Sequence, residues 1–299
     1  MQTEESDIIV PEVHKITLAF DGSQNSLQAC EAAAIITKGF NARLTAIYVI
    51  PKYIGVRSIP VPDEQARASL EKAISMITSY EGINATSEIL DSKSLSVYES
   101  LIDYVSKEKS DLLISGTRGL GGFERALVGS ISSNLVSYSP CSVMVVRKSK
   151  SEEKMKFGQI LVATDGSENA SRAVGIAISL AKVLSSKLTF VNVVYLPPVS
   201  YTVGEGNWFE SAIAESVEDG KRITALAVSA SKKSGVEADF RVIDDMRSPV
   251  SVLTGIAQGD DYDLIIVGTR GLGGFKRLVL GSVASGVVHY AHCSVLVAR

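Results

Sequence analysis

The chain has 299 residues, 45% of them hydrophobic and 21% charged, with a formal net charge of −3. These proportions exclude a disordered or fibrous class, and the slight acidity argues against nucleic acid, which needs a basic face. Three cysteines are too few, and odd in number, for a disulfide scaffold, no apolar run approaches the ~20 residues that span a bilayer, and MQTEESDIIVPEV lacks a basic region followed by an apolar stretch. The expected setting is a reducing cytoplasm, away from membranes.

In chain order, KITLAF from Lys15 is a short apolar strand that runs into Asp21-Gly22-Ser23. LQACEAAAIITKGF follows with small and aliphatic residues at helical spacing. RLTAIYVI is a second strand, Glu64 to Tyr80 a second helix, Ser87 to Leu90 a third strand, and a third helix comes next. DLLIS, from Asp111, is an unbroken apolar run of the kind buried on both faces of a parallel sheet. SISSNLVSYS and CSVMVV then supply a last helix and strand, and the charged RKSKSEEKMK is a solvated linker.

The same order then returns. QILVATDGSENA repeats the opening, with Asp165 in place of Asp21; KLTFVNVV, a helix over Ser211 to Lys233, a strand over Phe240 to Ile243, DLIIV, SVASGVVHYA and CSVLVA complete the second copy. Gly116 to Arg147 and Gly268 to Arg299 agree at nineteen of thirty-two positions. The copies differ most after Val193, where YLPPVSYTVGEGNWFE carries Trp208, the one tryptophan. Strand and helix alternate five times per copy. This pattern specifies an α/β fold: two tandem doubly wound five-stranded parallel-sheet domains, over 13–148 and 157–299. Ligands in such sheets sit beyond the carboxyl ends of the strands, where the Asp-Gly-Ser turn and the glycine segment both emerge.

Each glycine segment reads G-x2-G-x9-G-S: Gly116, Gly119, Gly129 and Ser130, then Gly268, Gly271, Gly281 and Ser282. A glycine at a strand end allows close backbone approach, and a helix start offers free N–H groups and partial positive charge to an anion. A phosphate chain fits between the two glycine turns; the bland alternative is loop punctuation with Ser130 as a helix cap. Arg118 and Arg270 lie inside the loops, as phosphate partners or as exposed side chains. Asp21 and Asp165 serve ribose hydroxyls or a cation, or else are simple turn residues. Cys141 and Cys293 read as small buried hydrophobes, and His289 with His292 has no counterpart in the first copy, so no metal site is assigned.

These segments make the chain resemble a tandem member of the universal stress protein family, over nearly all of both halves. The resemblance implies a flavodoxin-like or Rossmann-like fold of the adenine-nucleotide alpha hydrolase kind and binding of ATP or AMP, with Mg as the nucleotide's counter-ion. It implies that Asp21 and Asp165 contact the nucleoside and that main-chain groups at Val49 and Val193 hold adenine. It places phosphate on Gly119, Gly129, Ser130 and Ile131, and on Gly271, Gly281, Ser282 and Val283. It also implies pairing of the last strands within the chain, with a homodimer as a further option. No catalytic residue is assigned, because efficient phosphoryl transfer needs a positioned base and a Lys or Arg clamp. The implied role is a stress-response sensor or effector; a slow ATPase or self-phosphorylating enzyme, and a nucleotide-independent scaffold, are the alternatives.

Overall fold

The computed structural model describes residues 8–51, 63–92, 95–117, 128–147, 155–195, 208–271 and 280–299. By contacts the chain divides into two compact units. The first takes Glu12–Lys156 together with Ser294–Val297. The second takes Phe157–Cys293, the residues up to Pro11, and Ala298–Arg299.

In the first unit the elements follow the expected alternation: β1 (Lys15–Ala19), α1 (Gln24–Phe40), β2 (Arg43–Ile50), α2 (Asp63–Thr78), β3 (Asn84–Asp91), α3 (Val97–Glu108), β4 (Leu112–Gly116), α4 (Ser130–Tyr138) and β5 (Ser142–Val146). The strand order is β3-β2-β1-β4-β5, parallel throughout. β10 (Ser294–Ala298) lies antiparallel to β5, with Val295 opposite Val145. β4 and β5 are buried along their whole length, which is why their sequences are unbroken apolar runs. β3 lies at the sheet's edge and is half exposed, so its alternation is weak; it extends from Asn84 to Asp91, beyond the expected Ser87 to Leu90.

The second unit repeats the plan with β6 (Gln159–Ala163), α5 (Glu168–Leu184), β7 (Lys187–Val194), α6 (Trp208–Lys233), β8 (Ala238–Asp244), α7 (Pro249–Gly259), β9 (Leu264–Gly268) and α8 (Ser282–Tyr290). Its strands run β8-β7-β6-β9, all parallel. The fold is therefore mostly parallel α/β in two alike halves, as the repeats require.

Small residues bring the long helices close to their sheets. Ala29, Ala32, Ala33 and Ala34 of α1 are fully buried, and α1 packs on β4 and β5. Ser23 caps α1 by accepting from Ser26 N at 3.2 Å, and the helix ends at Asn41 in the left-handed region at φ 51°. α5 is built alike, with Ser167 at its start and Ser185 at its end. Gly175 on α5 lies so near the Ile9 carbonyl that no Cβ fits between them, and Ser179 Oγ donates to Pro11 O at 2.5 Å. Residues 8–11 are thereby fastened to the second unit. In the first unit's core Leu113, Ile114 and Met144 are fully buried; truncating one such side chain to alanine costs about 2–5 kcal/mol.

Candidate functional site

The carboxyl ends of β1, β2 and β4 form one end of the first sheet, and those of β6, β7 and β9 form its counterpart in the second. Asp21 and Asp165 stand there, both half-buried. Each uses one carboxylate oxygen in a tight turn: Ser23 N donates to Asp21 Oδ1 at 3.0 Å, and Ser167 N to Asp165 Oδ1 at 3.0 Å. The residues between are Gly22 at φ +81° and Gly166 at φ +76°, which a side chain would strain. The D-G-S sequence is thus a turn, a left-handed glycine and a helix cap in succession.

β2 overruns β1. The two are paired as far as Ala19 and Ile47, and Phe20 N donates to Ile47 O at 2.9 Å. β2 then continues to Ile50 beside β3 alone, and Ile50 O accepts from Ser92 N at 3.1 Å. In a parallel ladder alternate residues turn their N–H and C=O to alternate sides. Val49 therefore points its main-chain donor and acceptor to the side where β1 has ended. The second unit repeats this: Thr164 N donates to Val191 O at 2.9 Å, and Val193 turns the same way beyond it.

Gly116 and Gly268 end β4 and β9, and both glycines have a clear structural reason. A Cβ at Gly116 would lie 2.7 Å from the main-chain carbon and oxygen of Asn25, and one at Gly268 would lie 2.5 Å from Asn169 O. What approaches these glycines is the first turn of α1 and of α5. Next to them, Thr117 Oγ1 donates to Asn25 Oδ1 at 3.3 Å and Thr269 Oγ1 to Asn169 Oδ1 at 3.0 Å. Both copies spell D-G-S-x-N, so Asn25 and Asn169 were visible in the sequence as shared polar residues and belong with the site.

α1, α3, α5 and α7 each begin with a serine whose side chain accepts from the helix. α4 and α8 do not. Their N-caps are Gly129 and Gly281, with no side-chain hydrogen bond, so Ser130 and Ser282 are the first helical residues rather than caps. Gly129 N donates to Thr117 O at 2.7 Å and Gly281 N to Thr269 O at 2.7 Å, which ties each helix start to the end of the preceding strand. The N–H groups of Ser130 and Ile131, and of Ser282 and Val283, fall in the turn that an anion can cap.

The two copies differ in detail. Tyr48, before Val49, is buried, and its phenol is pushed above its ordinary pKa by burial first and by the Asp21 carboxylate second. Its counterpart Asn192 donates from Nδ2 to Thr164 O at 2.8 Å. In the second copy Arg270 is half-buried, with its Nε buried and no acceptor among the described residues, and Gly271 lies against Asp165 Oδ2. Arg118 and Gly119 lie outside the described residues, as does most of the connection leading to Trp208.

A family model described as "Universal stress protein family" matches residues 12–147 and, again, 156–299. The chain belongs to the universal stress protein family. A universal stress protein of Thermus aquaticus is 36% identical over 143 residues, which is 48% of this chain and 99% of that protein. One from Mycolicibacterium smegmatis is 27% identical over 302 residues, covering 95% of this chain and 96% of its own, so the two-copy organisation is shared along the full length. The crystal structure of a universal stress protein from Archaeoglobus fulgidus covers 98% of both chains at a TM-score of 0.64 and 19% identity, a likeness of fold.

Proposed function

We propose that each half of this universal stress protein holds one adenine nucleotide across the carboxyl ends of its strands, ATP or AMP with Mg as counter-ion. The reading gives the protein the role of a sensor or effector whose state follows the nucleotide. The observation that carries it is the pairing, in both copies, of a glycine-capped helix start with a strand that overruns its neighbour. The first supplies N–H groups to phosphate. The second supplies one main-chain donor and one acceptor at Val49 and at Val193, the pattern that the edge of adenine complements.

Each other residue has a place in this scheme. The Asp21 and Asp165 carboxylates, fixed by their turns, accept from ribose hydroxyls. Gly119 and Gly271 let the loop backbone approach phosphate, with Arg118 and Arg270 as its cationic partners. Both aspartates accept a hydrogen bond from a serine N–H within their own turns, and no separate base is assigned beside the glycine loops. The reading is therefore of binding, not of rapid turnover.

Guanine presents the reverse order of donor and acceptor, so selectivity tests the main-chain part of the scheme. With a fluorescent ATP analogue bound to the full chain, unlabelled ATP and AMP are expected to displace it, and GTP to do so far less well. Equal displacement by GTP would remove Val49 and Val193 from the site, and displacement by inorganic phosphate alone would reduce the site to an anion pocket.

A further inference from the structure

At the opposite end of the first unit, by the amino ends of β1, β2 and β3, a cavity of about 320 Å³ opens beside α3. Its size is at the lower end of small-molecule sites. Alternate residues of a strand share one face, and register stacks those of the floor in two rungs: Lys15, Arg43 and Asn84, then Thr17, Thr45 and Thr86. Glu88 is the next residue of β3 on that face, and Tyr104 and Glu108 of α3 line the wall. The polar groups are largely joined to one another. Thr17 and Ser110 are hydrogen-bonded at 2.7 Å, Thr45 and Thr86 at 3.2 Å, and Tyr104 donates to Glu88 at 3.0 Å. Lys15 Nζ donates to the main-chain oxygen of Glu108 at 2.8 Å and stands 3.7 Å from its carboxylate. Lys15 and Arg43 balance Glu88 and Glu108, so the lining has no net formal charge.

The second unit treats the corresponding positions differently. Leu161 stands in place of Thr17, Ile256 in place of Tyr104 and Tyr262 in place of Ser110. Tyr262 is buried and donates to Thr189 Oγ1, the counterpart of Thr45, at 2.8 Å. Arg241 has the register position of Glu88, since Val191 faces Arg241 as Ile47 faces Glu88, and Asp260 has the place of Glu108. Arg241 Nη1 donates to Asp260 Oδ2 at 2.6 Å, a bridge from β8 to the end of α7. Two carboxylates cannot make that bridge. The first copy therefore keeps hydroxyls where the second has hydrocarbon, and like charges where the second has an ion pair. A buried hydroxyl gains less from packing than the hydrocarbon that could replace it, so the polar floor is not a requirement of the fold.

We propose that this cavity binds a neutral polyhydroxylated molecule of monosaccharide size, a hexose or a cyclitol. Balanced charge in the lining gives an ion no advantage there. Carboxylate, guanidinium and amide groups can each bond two neighbouring hydroxyls, and threonine hydroxyls turn to donate or accept. Glu88 keeps acceptor capacity beyond its one bond from Tyr104, and the 3.7 Å contact leaves the Glu108 carboxylate open to a hydroxyl. Tyr104 adds aromatic surface for the C–H groups of the ligand. The site is separate from the proposed nucleotide site, which lies at the other end of the same strands, and does not rest on that reading.

D-Glucose, D-galactose, D-mannose and myo-inositol are the probes, titrated into the full chain by calorimetry. At least one is expected to bind saturably, one per chain, with a Kd below ~10 mM, and saturating ATP should leave that binding unchanged. D-Glucosamine and D-glucuronate, rings with a charge of either sign, should bind no more tightly than the neutral probes. Glu88→Ala should weaken binding by about tenfold or more, the scale of a lost charged hydrogen bond. Thr86→Tyr should abolish it by laying a ring across the floor; the position is an exposed strand site, where an aromatic residue is compatible with the fold. No probe binding below ~10 mM, displacement by ATP, a tenfold preference for a charged ring, or full binding retained in either variant would each overturn the proposal.

Discussion

Asp165 and Gly271 are in contact: one carboxylate oxygen of Asp165 accepts from Ser167 N at 3.0 Å, and the other stands where a side chain at 271 would begin. The obstacle at Gly271 is the far end of a side chain, whereas at Gly268 it is the backbone of Asn169, whose carbonyl oxygen lies 2.5 Å from the place a Cβ would take. Moving the Asp165 carboxylate costs its hydrogen bond from Ser167 N, which is less than displacing a helix start. Gly268→Ala is therefore expected to destabilise by about 1–3 kcal/mol and Gly271→Ala by less, as read from urea unfolding. In an Asp165→Ala background the cost of Gly271→Ala should vanish. An equal cost in both backgrounds would show that the contact is not what confines position 271 to glycine.

The helix caps provide a second test. Ser23 and Ser167 each accept one N–H from the first turn of a long helix, so Ser23→Ala and Ser167→Ala should each cost about 1 kcal/mol. Ser130→Ala and Ser282→Ala, at helix positions that do not cap, should stay within about 0.5 kcal/mol. Equal losses in the two pairs would mean that the serines of α4 and α8 support their helices in a way their geometry does not predict.

How far the sequence could be read depends on which residues carry its signals. β4 and β5 are legible because burial on both faces leaves an apolar run, while β3, exposed along one edge, reads shorter than it is. Asp21 and Asp165 are legible as turn residues from D-G-S alone. Gly116 and Gly268 are legible as strand-end glycines that admit a close approach, read there as the approach of a ligand, but the neighbour that crowds them is the start of α1 or α5, which comes from a distant stretch of chain and which no local pattern encodes. The place of Val49 comes from family resemblance; that β2 outruns β1 is a matter of register between strands, which periodicity within one strand does not contain. The exchange of Ser110 for Tyr262 lies outside every motif.

Tyr104 makes a prediction about alkaline pH. Burial first, and then its hydrogen bond to Glu88, push its phenol from 10.0 up to about 12. A raised folded-state value contributes stability that is complete below the unfolded value of about 10 and is lost as pH climbs through the folded one. Phenolate absorbance should therefore show a tyrosine ionising near pH 12 that disappears in Tyr104→Phe, and the variant's stability should fall less steeply above pH ~10. Complete ionisation near 10 in protein that is still folded would contradict the assignment.

Cys30 offers a chemical test of the packing under α1. It is fully buried, and burial pushes its thiol from 9.0 up to about 12, so almost no thiolate forms at neutral pH. An aromatic disulfide reagent should leave Cys30 unmodified in native protein and react with it only after denaturation, as peptide mapping would report. Rapid native-state labelling at Cys30 would mean that α1 opens far more readily than its alanine packing implies.

The central claim is that both copies bind, and the count of nucleotides tests it most directly. Calorimetric titration of the full chain with ATP should give about two sites, falling to about one in either Gly129→Val or Gly281→Val, because each places a branched side chain in front of one helix start. The paired variant should bind none while keeping its cooperative unfolding. No heat of binding in the unmodified chain, or two sites that persist in the paired variant, would contradict the account.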